Sequence, residues 1–152
     1  MSSLRKFNIR VYGLLFSNEG DILVSDEARF GKKFTKFPGG GLEFGEGIID
    51  CLKREYIEEL NQRVEILEHF YTTDFYQKSA FDNQNQLISI YYIVKPIGGV
   101  NFKISTTPFD FDVKSSDLQS FRFVSIKTLS ENNFTFPIDK HVARLIKDTF
   151  TK

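Results

Sequence analysis

One stretch constrains this chain more than any other: IIDCLKREYIEEL at positions 48 to 60, where Ile48, Leu52, Tyr56 and Leu60 recur every four places with Ile49 beside them. That spacing gathers apolar side chains on one side of an α-helix, and it predicts an amphipathic helix over 48–60. Asn61 follows directly. Asparagine is the usual substitute for glycine in the left-handed conformation that closes many helices, so the helix is expected to stop there.

The same helix carries three acids at 55, 58 and 59. At about 100° per residue and with Ile48 at 0°, the apolar side chains fall between roughly 0° and 120°. Glu58, Glu55 and Glu59 then lie near about −80°, −20° and +20°, beside the apolar stripe and not opposite it. Carboxylates gathered and partly desolvated in this way repel one another, and they either take up protons or bind a cation. Hard cations such as Mg²⁺ prefer such oxygen ligands.

Ahead of the helix stand Pro38-Gly39-Gly40-Gly41 and Glu46. Proline fixes its φ and the glycines permit backbone shapes other residues avoid, so a tight functional loop is expected at 38–41. Arg54 has two possible partners. It could form a surface ion pair with Glu58 four residues on, or its fork could hold Glu46 and tie the loop to the helix.

Taken together, Gly40, five residues, Glu46, seven residues and then Arg54-Glu55-Tyr56-Ile57-Glu58-Glu59-Leu60-Asn61-Gln62 resemble the Nudix box. Six fixed identities would coincide by chance on the order of 10⁻⁷ times at any one starting point. Phe37-Pro38-Gly39-Gly40 and the strand order around the box also look like the family. Three positions depart from its pattern: Asn61 replaces glycine, Gln62 an aliphatic residue, and Tyr56 a small aliphatic one.

The resemblance implies an α/β fold, a Nudix-type α/β/α sandwich with a mixed sheet between helices, in a single domain over 1–152. It also implies hydrolysis of a nucleoside diphosphate linked to another group (a sugar nucleotide, ADP-ribose or a relative), with Mg²⁺ or Mn²⁺ required. Carried over by position, Glu58 and Glu59 would ligate metal, helped by Glu55 and the Gly40 carbonyl. Arg54 and Glu46 would complete the catalytic set. Glu55 is the first choice for general base, with Asp117 the alternative. The rival reading is a Nudix-fold sensor or scaffold that binds a nucleotide sugar without cleaving it. Such domains usually lose box glutamates, and this chain keeps all four.

Outside the box, 7–16 reads as a central strand, returning through a turn at 17–21 into a short strand at Ile22-Leu23-Val24. Residues 28–36, with Arg29, Lys32, Lys33 and Lys36, read as a basic surface loop. Arg63 to Tyr76 and Leu87 to Val94 form a long antiparallel hairpin across a polar connector at 82–86. Residues 121–124 give a last strand, and Ile138, Val142, Leu145 and Ile146 after Pro137 give a terminal amphipathic helix. Phe70, Tyr71, Phe75 and Tyr76 are candidates for recognising the leaving group. The seventeen phenylalanines are expected to fill the core.

Charge and cysteine usage narrow the function classes. Twenty basic and 20 acidic residues cancel, leaving no global field to hold nucleic acid or an anionic membrane, so a polyanion must be held locally. The partner implied by the Nudix resemblance, a small nucleoside diphosphate derivative, fits such local holding, with a homodimer left open. One cysteine, Cys51, and two histidines, His69 and His141, exclude an internal disulfide and a zinc cage. No P-loop or dinucleotide fingerprint occurs. No apolar run is long enough for a membrane span and MSSLRKFNIR lacks a signal-peptide core, so a cytoplasmic location is expected.

Overall fold

The alternation and turn signals resolve into seven strands and two helices in a computed structural model that describes residues 4–112 and 118–151. In chain order these are β1 (Lys6–Leu15), β2 (Ile22–Arg29), β3 (Lys32–Lys36), β4 (Gly39–Gly41), α1 (Ile48–Leu60), β5 (Val64–Thr72), β6 (Asn85–Pro96), β7 (Leu118–Val124) and α2 (Pro137–Phe150). The strands form a four-stranded sheet of order β4-β1-β6-β5 and a three-stranded sheet of order β3-β2-β7. Internal contacts group the chain into two compact units, Met1–Leu14 with Gly39–Val100 and Leu15–Pro38 with Asn101–Lys152. No helix among the described residues is long and apolar enough to cross a membrane.

In the first unit α1 packs against β4 and β5. Its buried residues are Cys51, Leu52, Tyr56 and Leu60. Ile49, expected in the stripe, is exposed. Cys51 takes the buried place instead, which moves the buried arc toward the acids. Tyr56 is fully buried, and its bulk is accommodated by Gly13 of β1, where a Cβ would stand 2.4 Å from the Tyr56 hydroxyl. That hydroxyl is shielded from solvent with no hydrogen-bond partner among the described residues. Burial, with the charge of Glu59 adding to it, raises the phenol's pKa.

Asn61 closes the helix in the left-handed conformation (φ 52°, ψ 39°). Its N–H donates to Ile57 O at 3.0 Å, and that of Gln62 to Tyr56 O at 3.2 Å. Gln62 is itself buried, and its amide donates to the carbonyls of Arg63 (2.8 Å) and Gly99 (3.0 Å). A polar residue thus occupies the position where an aliphatic one was expected, with its donors satisfied. The hairpin of β5 and β6 is antiparallel, from Val64↔Pro96 to Thr72↔Ile90, with register shifts at Ile66/Glu68 and His69/Tyr71.

Two expected loops are strands. The glycine run is β4, paired antiparallel with β1 as Tyr12↔Gly39, Val11↔Gly40 and Arg10↔Gly41. A Cβ at Gly39 would stand 2.1 Å from Val11 O, so the close pairing itself requires glycine. Residues 28–36, expected as a surface loop, form the β2–β3 hairpin in the second unit. Phe30 (φ 54°) and Gly31 (φ 74°) make its two-residue turn, in the left-handed backbone that matches strand twist.

The second unit buries charge as well as apolar surface. Lys36, expected at the surface, is buried on β3 and donates to Glu27 Oε2 at 3.0 Å. Ser25 Oγ donates to the same oxygen at 2.9 Å. Asp26 accepts from Arg122 Nε (2.6 Å), Thr35 Oγ1 (2.7 Å) and the Phe109 N–H (3.2 Å). Pairing of this kind is what makes interior carboxylates tolerable. Phe37 stacks on Phe134 with ring centroids 4.4 Å apart, and Phe34 lies 5.3 Å from Phe136. The expectation that the phenylalanines are core residues fails for Phe7, Phe30, Phe44, Phe75, Phe81 and Phe150, which are exposed.

The Tyr56–Gly13 contact yields opposite expectations for two substitutions. Tyr56→Phe removes a buried hydroxyl that lacks a partner and should raise the thermal midpoint, by about 1 kcal/mol of stability. Gly13→Ala drives a methyl group into the ring and should cost about 1–3 kcal/mol. Chemical denaturation of both variants checks the pair.

Candidate metal and hydrolysis site

The site is organised by one guanidinium. Arg54 Nη2 donates to Glu46 Oε1 at 2.6 Å and Arg54 Nε to Glu46 Oε2 at 2.9 Å, a two-pronged contact that joins helix to loop. Nη2 also donates to Gly41 O at 3.1 Å. Nη1 reaches Glu55 Oε1 at 3.0 Å and Glu58 Oε2 at 3.1 Å. Both partners weighed for Arg54, the helix neighbour and the loop acid, are engaged at once.

The loop is closed by the same group. Glu46 Oε1 accepts from the backbone N–H of Glu43 at 3.0 Å, so the carboxylate that holds Arg54 also folds its own turn. Arg54, with the Glu43 N–H second, holds the Glu46 carboxyl down at about 2. A carboxyl whose folded pKa is depressed stabilises the fold above its unfolded value of about 4.3, and that contribution is lost as pH falls through about 2. The acids in turn raise the Arg54 pKa, Glu46 most of all. Burial pushes the Cys51 thiol up to about 12, with Glu46 adding to it, so Cys51 stays a neutral filler beside Gly41 O at 3.5 Å.

The helix wheel accounts for how the acids are presented. With Cys51 near about −60° buried, Glu55 and Glu59 lie inside the buried arc and Glu58 at its margin. Side-chain exposure follows this order at its extremes, 13% for Glu55 against 56% for Glu58. Glu59 is half-buried, with Oε2 shielded from solvent. Gly40 fits against this cluster because it has no side chain: a Cβ there would stand 2.4 Å from Glu55 Cδ and 2.5 Å from both its oxygens.

A divalent cation suits this donor set chemically, since Glu55, Glu58, Glu59 and the Gly40 carbonyl offer only oxygen. The Gly40 cradle keeps the Glu55 carboxylate tight against the strand. As placed, no three acidic, histidine or cysteine side chains among the described residues are grouped as metal ligands. Glu55 and Glu58 are instead both turned onto Arg54. Asp117, the alternative base, lies outside the described residues.

Two residues that sequence reasoning passed over belong beside this set. Arg10 and Tyr12 lie on β1 opposite Gly41 and Gly39, and Arg10 Nε donates to Tyr12 Oη at 2.6 Å. Their signal was a charged residue inside the largely apolar strand FNIRVYGLLF. Among the leaving-group candidates, Tyr71 Oη donates to Asp74 at 2.8 Å, and burial ahead of that bond pushes the phenol up to about 12. Phe75 and Tyr76 are exposed. His69 pairs with Thr72 at 2.8 Å on β5.

Arg54→Lys would keep the charge and lose the fork. The Glu43 amide, protected through Glu46, should then exchange with deuterium roughly tenfold faster or more, corresponding to about 1.4 kcal/mol of lost closure. Amide exchange followed by NMR measures this directly.

Comparison with known proteins agrees with the box and the fold. The NUDIX domain model matches residues 6–145. No match was found among curated proteins. Among solved structures, the chain resembles the MutT protein of Methanosarcina mazei Go1 (17% identity, 99% of this chain and 100% of that one, TM-score 0.71). It also resembles a NUDIX hydrolase from Nitrosomonas europaea (16%, 93% and 88%, TM-score 0.67) and an ADP-ribose pyrophosphatase from Streptococcus suis 89-1591 (17%, 95% and 92%, TM-score 0.60). At these identities the structural likeness speaks for the shared α/β fold alone. The family match extends over nearly the whole chain and includes the box that Arg54 holds together: the chain belongs to the Nudix family.

Proposed function

We propose that this chain hydrolyses the diphosphate of a nucleoside diphosphate linked to another group, using Mg²⁺ or Mn²⁺, with both compact units serving as one catalytic domain. The observation that carries this reading is the Arg54 contact set, which holds Glu46, Glu55 and Glu58 together beside the Gly40–Gly41 strand. A merely solvated acidic helix face would need neither the glycine strand nor the loop acid. The Streptococcus suis structure is an ADP-ribose pyrophosphatase by name, so ADP-ribose belongs among the substrates to be tried.

Glu55, Glu58 and Glu59, with the Gly40 carbonyl, would hold the metal. When bound, such an ion supplies counter-charge to the diphosphate oxygens and acidifies the attacking water. Arg54 and Glu46 act as positioning residues, fixing the loop and presenting Glu55 and Glu58. Glu58, the most exposed of the three, can leave Arg54 at the smallest desolvation cost, so it is the acid that adjusts most readily. Glu55, packed on Gly40 and little exposed, suits proton removal at a fixed place.

The test is a panel of ADP-ribose, sugar nucleotides, dinucleoside polyphosphates and oxidised nucleoside triphosphates with Mg²⁺, comparing the native chain with Glu58→Gln and Glu59→Gln. Turnover by the native chain is expected to fall roughly a hundredfold or more in each variant. Equal turnover in all three proteins would sink the assignment. Tight binding of a panel member without release of a phosphate product would favour the sensor reading instead.

A further inference from the structure

Arg10 stands on β1, an inner strand of the first unit's sheet, opposite Gly41 of the edge strand β4 and one residue from the Gly40 position against which Glu55 packs. Successive residues of a strand face opposite sides. Gly40 therefore turns its Cα toward Glu55, and Gly41 turns its own toward Arg10, whose Nη1 lies 3.6 Å from where a Gly41 Cβ would be. No side chain on Gly41 stands between this guanidinium and β4, which lies at the edge of its sheet.

The guanidinium is oriented but only partly used. Its Nε donates to Tyr12 Oη at 2.6 Å, and its carbon lies 5.6 Å from the centre of the Tyr12 ring. Tyr12 is itself fixed against Tyr91, with ring centroids 5.2 Å apart. Among the described residues Nη1 and Nη2 donate no hydrogen bond, and no carboxylate approaches Arg10 within ion-pair distance. Its charge is nonetheless favoured by its surroundings: Tyr12 first, then Glu55 and Glu59 at longer range, raise the Arg10 pKa. A half-buried arginine with a fixed plane and idle terminal donors is built for an incoming oxyanion, and a planar fork matches two oxygens of one phosphate.

We propose that Arg10 is the phosphate anchor of this site, donating from Nη1 and Nη2 to one phosphate of the substrate's diphosphate, while a cation held by the glutamates on the other side of β4 would meet the other. This rests on the hydrolase reading for the identity of the ligand, though not for the binding itself. Tyr12 is the positioning residue, keeping Nε engaged so that the two terminal groups face outward. The anchor explains how a chain without net positive charge grips a diphosphate: one oriented guanidinium serves on the side of the strand away from the acids.

The test titrates inorganic pyrophosphate into the native chain, Arg10→Gln, Arg10→Lys and Glu59→Gln by calorimetry in EDTA, where neither metal nor turnover contributes. Arg10→Gln should weaken binding roughly tenfold or more, Arg10→Lys should recover only part of the loss, and Glu59→Gln should bind at least as well as the native chain. On any substrate the panel identifies, Arg10→Gln should raise KM roughly tenfold and change kcat far less. Native and Arg10→Gln chains of equal affinity, or a native chain that binds no pyrophosphate, would overturn the proposal. Full recovery in Arg10→Lys would also overturn it, since a point charge would then suffice without the fork. Arg10-dependent pyrophosphate binding in a chain that turns over none of the panel would leave the anchor standing and remove the hydrolase reading.

Discussion

The Arg54 guanidinium is the interaction on which the rest of the site depends. Among the described residues it is the one cation in contact with four carboxylates, those of Glu43 (3.7 Å), Glu46, Glu55 and Glu58, and it reaches the Gly41 carbonyl as well. Without a shared cation these acids would repel one another at close range in a partly desolvated place. Arg54 thereby makes it possible to assemble an acidic site during folding, before any metal is needed. Its contacts are graded: the two-pronged one to Glu46 is the shortest, and those to Glu55 and Glu58 share a single nitrogen. The loop is held firmly and the helix acids loosely, a grading that suits the exchange of Arg54 for a metal ion proposed above.

The glycine strand complements this arrangement from the other side. β4 contributes backbone alone, and each of its residues meets something that leaves no room for a side chain or profits from its absence: Val11 O at Gly39, the Glu55 carboxylate at Gly40, the Arg10 guanidinium at Gly41. An edge strand of this kind is a narrow partition between an acidic face and a basic side chain. A ligand with two charged groups can straddle it.

Features set by neighbours along the chain were legible in the residues themselves. The bounds of α1 coincide with the predicted 48–60, because four-residue periodicity and the Asn61 stop are local signals. The β5–β6 hairpin follows for the same reason. What escaped notice depends on partners distant in sequence. Residues 28–36 read as a basic loop because Phe30-Gly31 is not a usual hairpin turn, and because nothing local reveals that Glu27 will neutralise Lys36. The glycines at 39–41 read as a loop because only the pairing with β1 makes them a strand. The charge of Arg10 stands out within its strand, but only the pairing of β1 with β4 reveals that it faces Gly41.

The fit of Tyr56 into the space left by Gly13 has a consequence for descent. The two positions are 43 residues apart in the chain and act as one volume. A lineage carrying this pair cannot enlarge residue 13 while the ring remains, whereas it can shrink residue 56 first and fill the gap afterwards. The order of change is thus prescribed by packing: only a smaller residue at 56 would free position 13, which this chain holds to glycine.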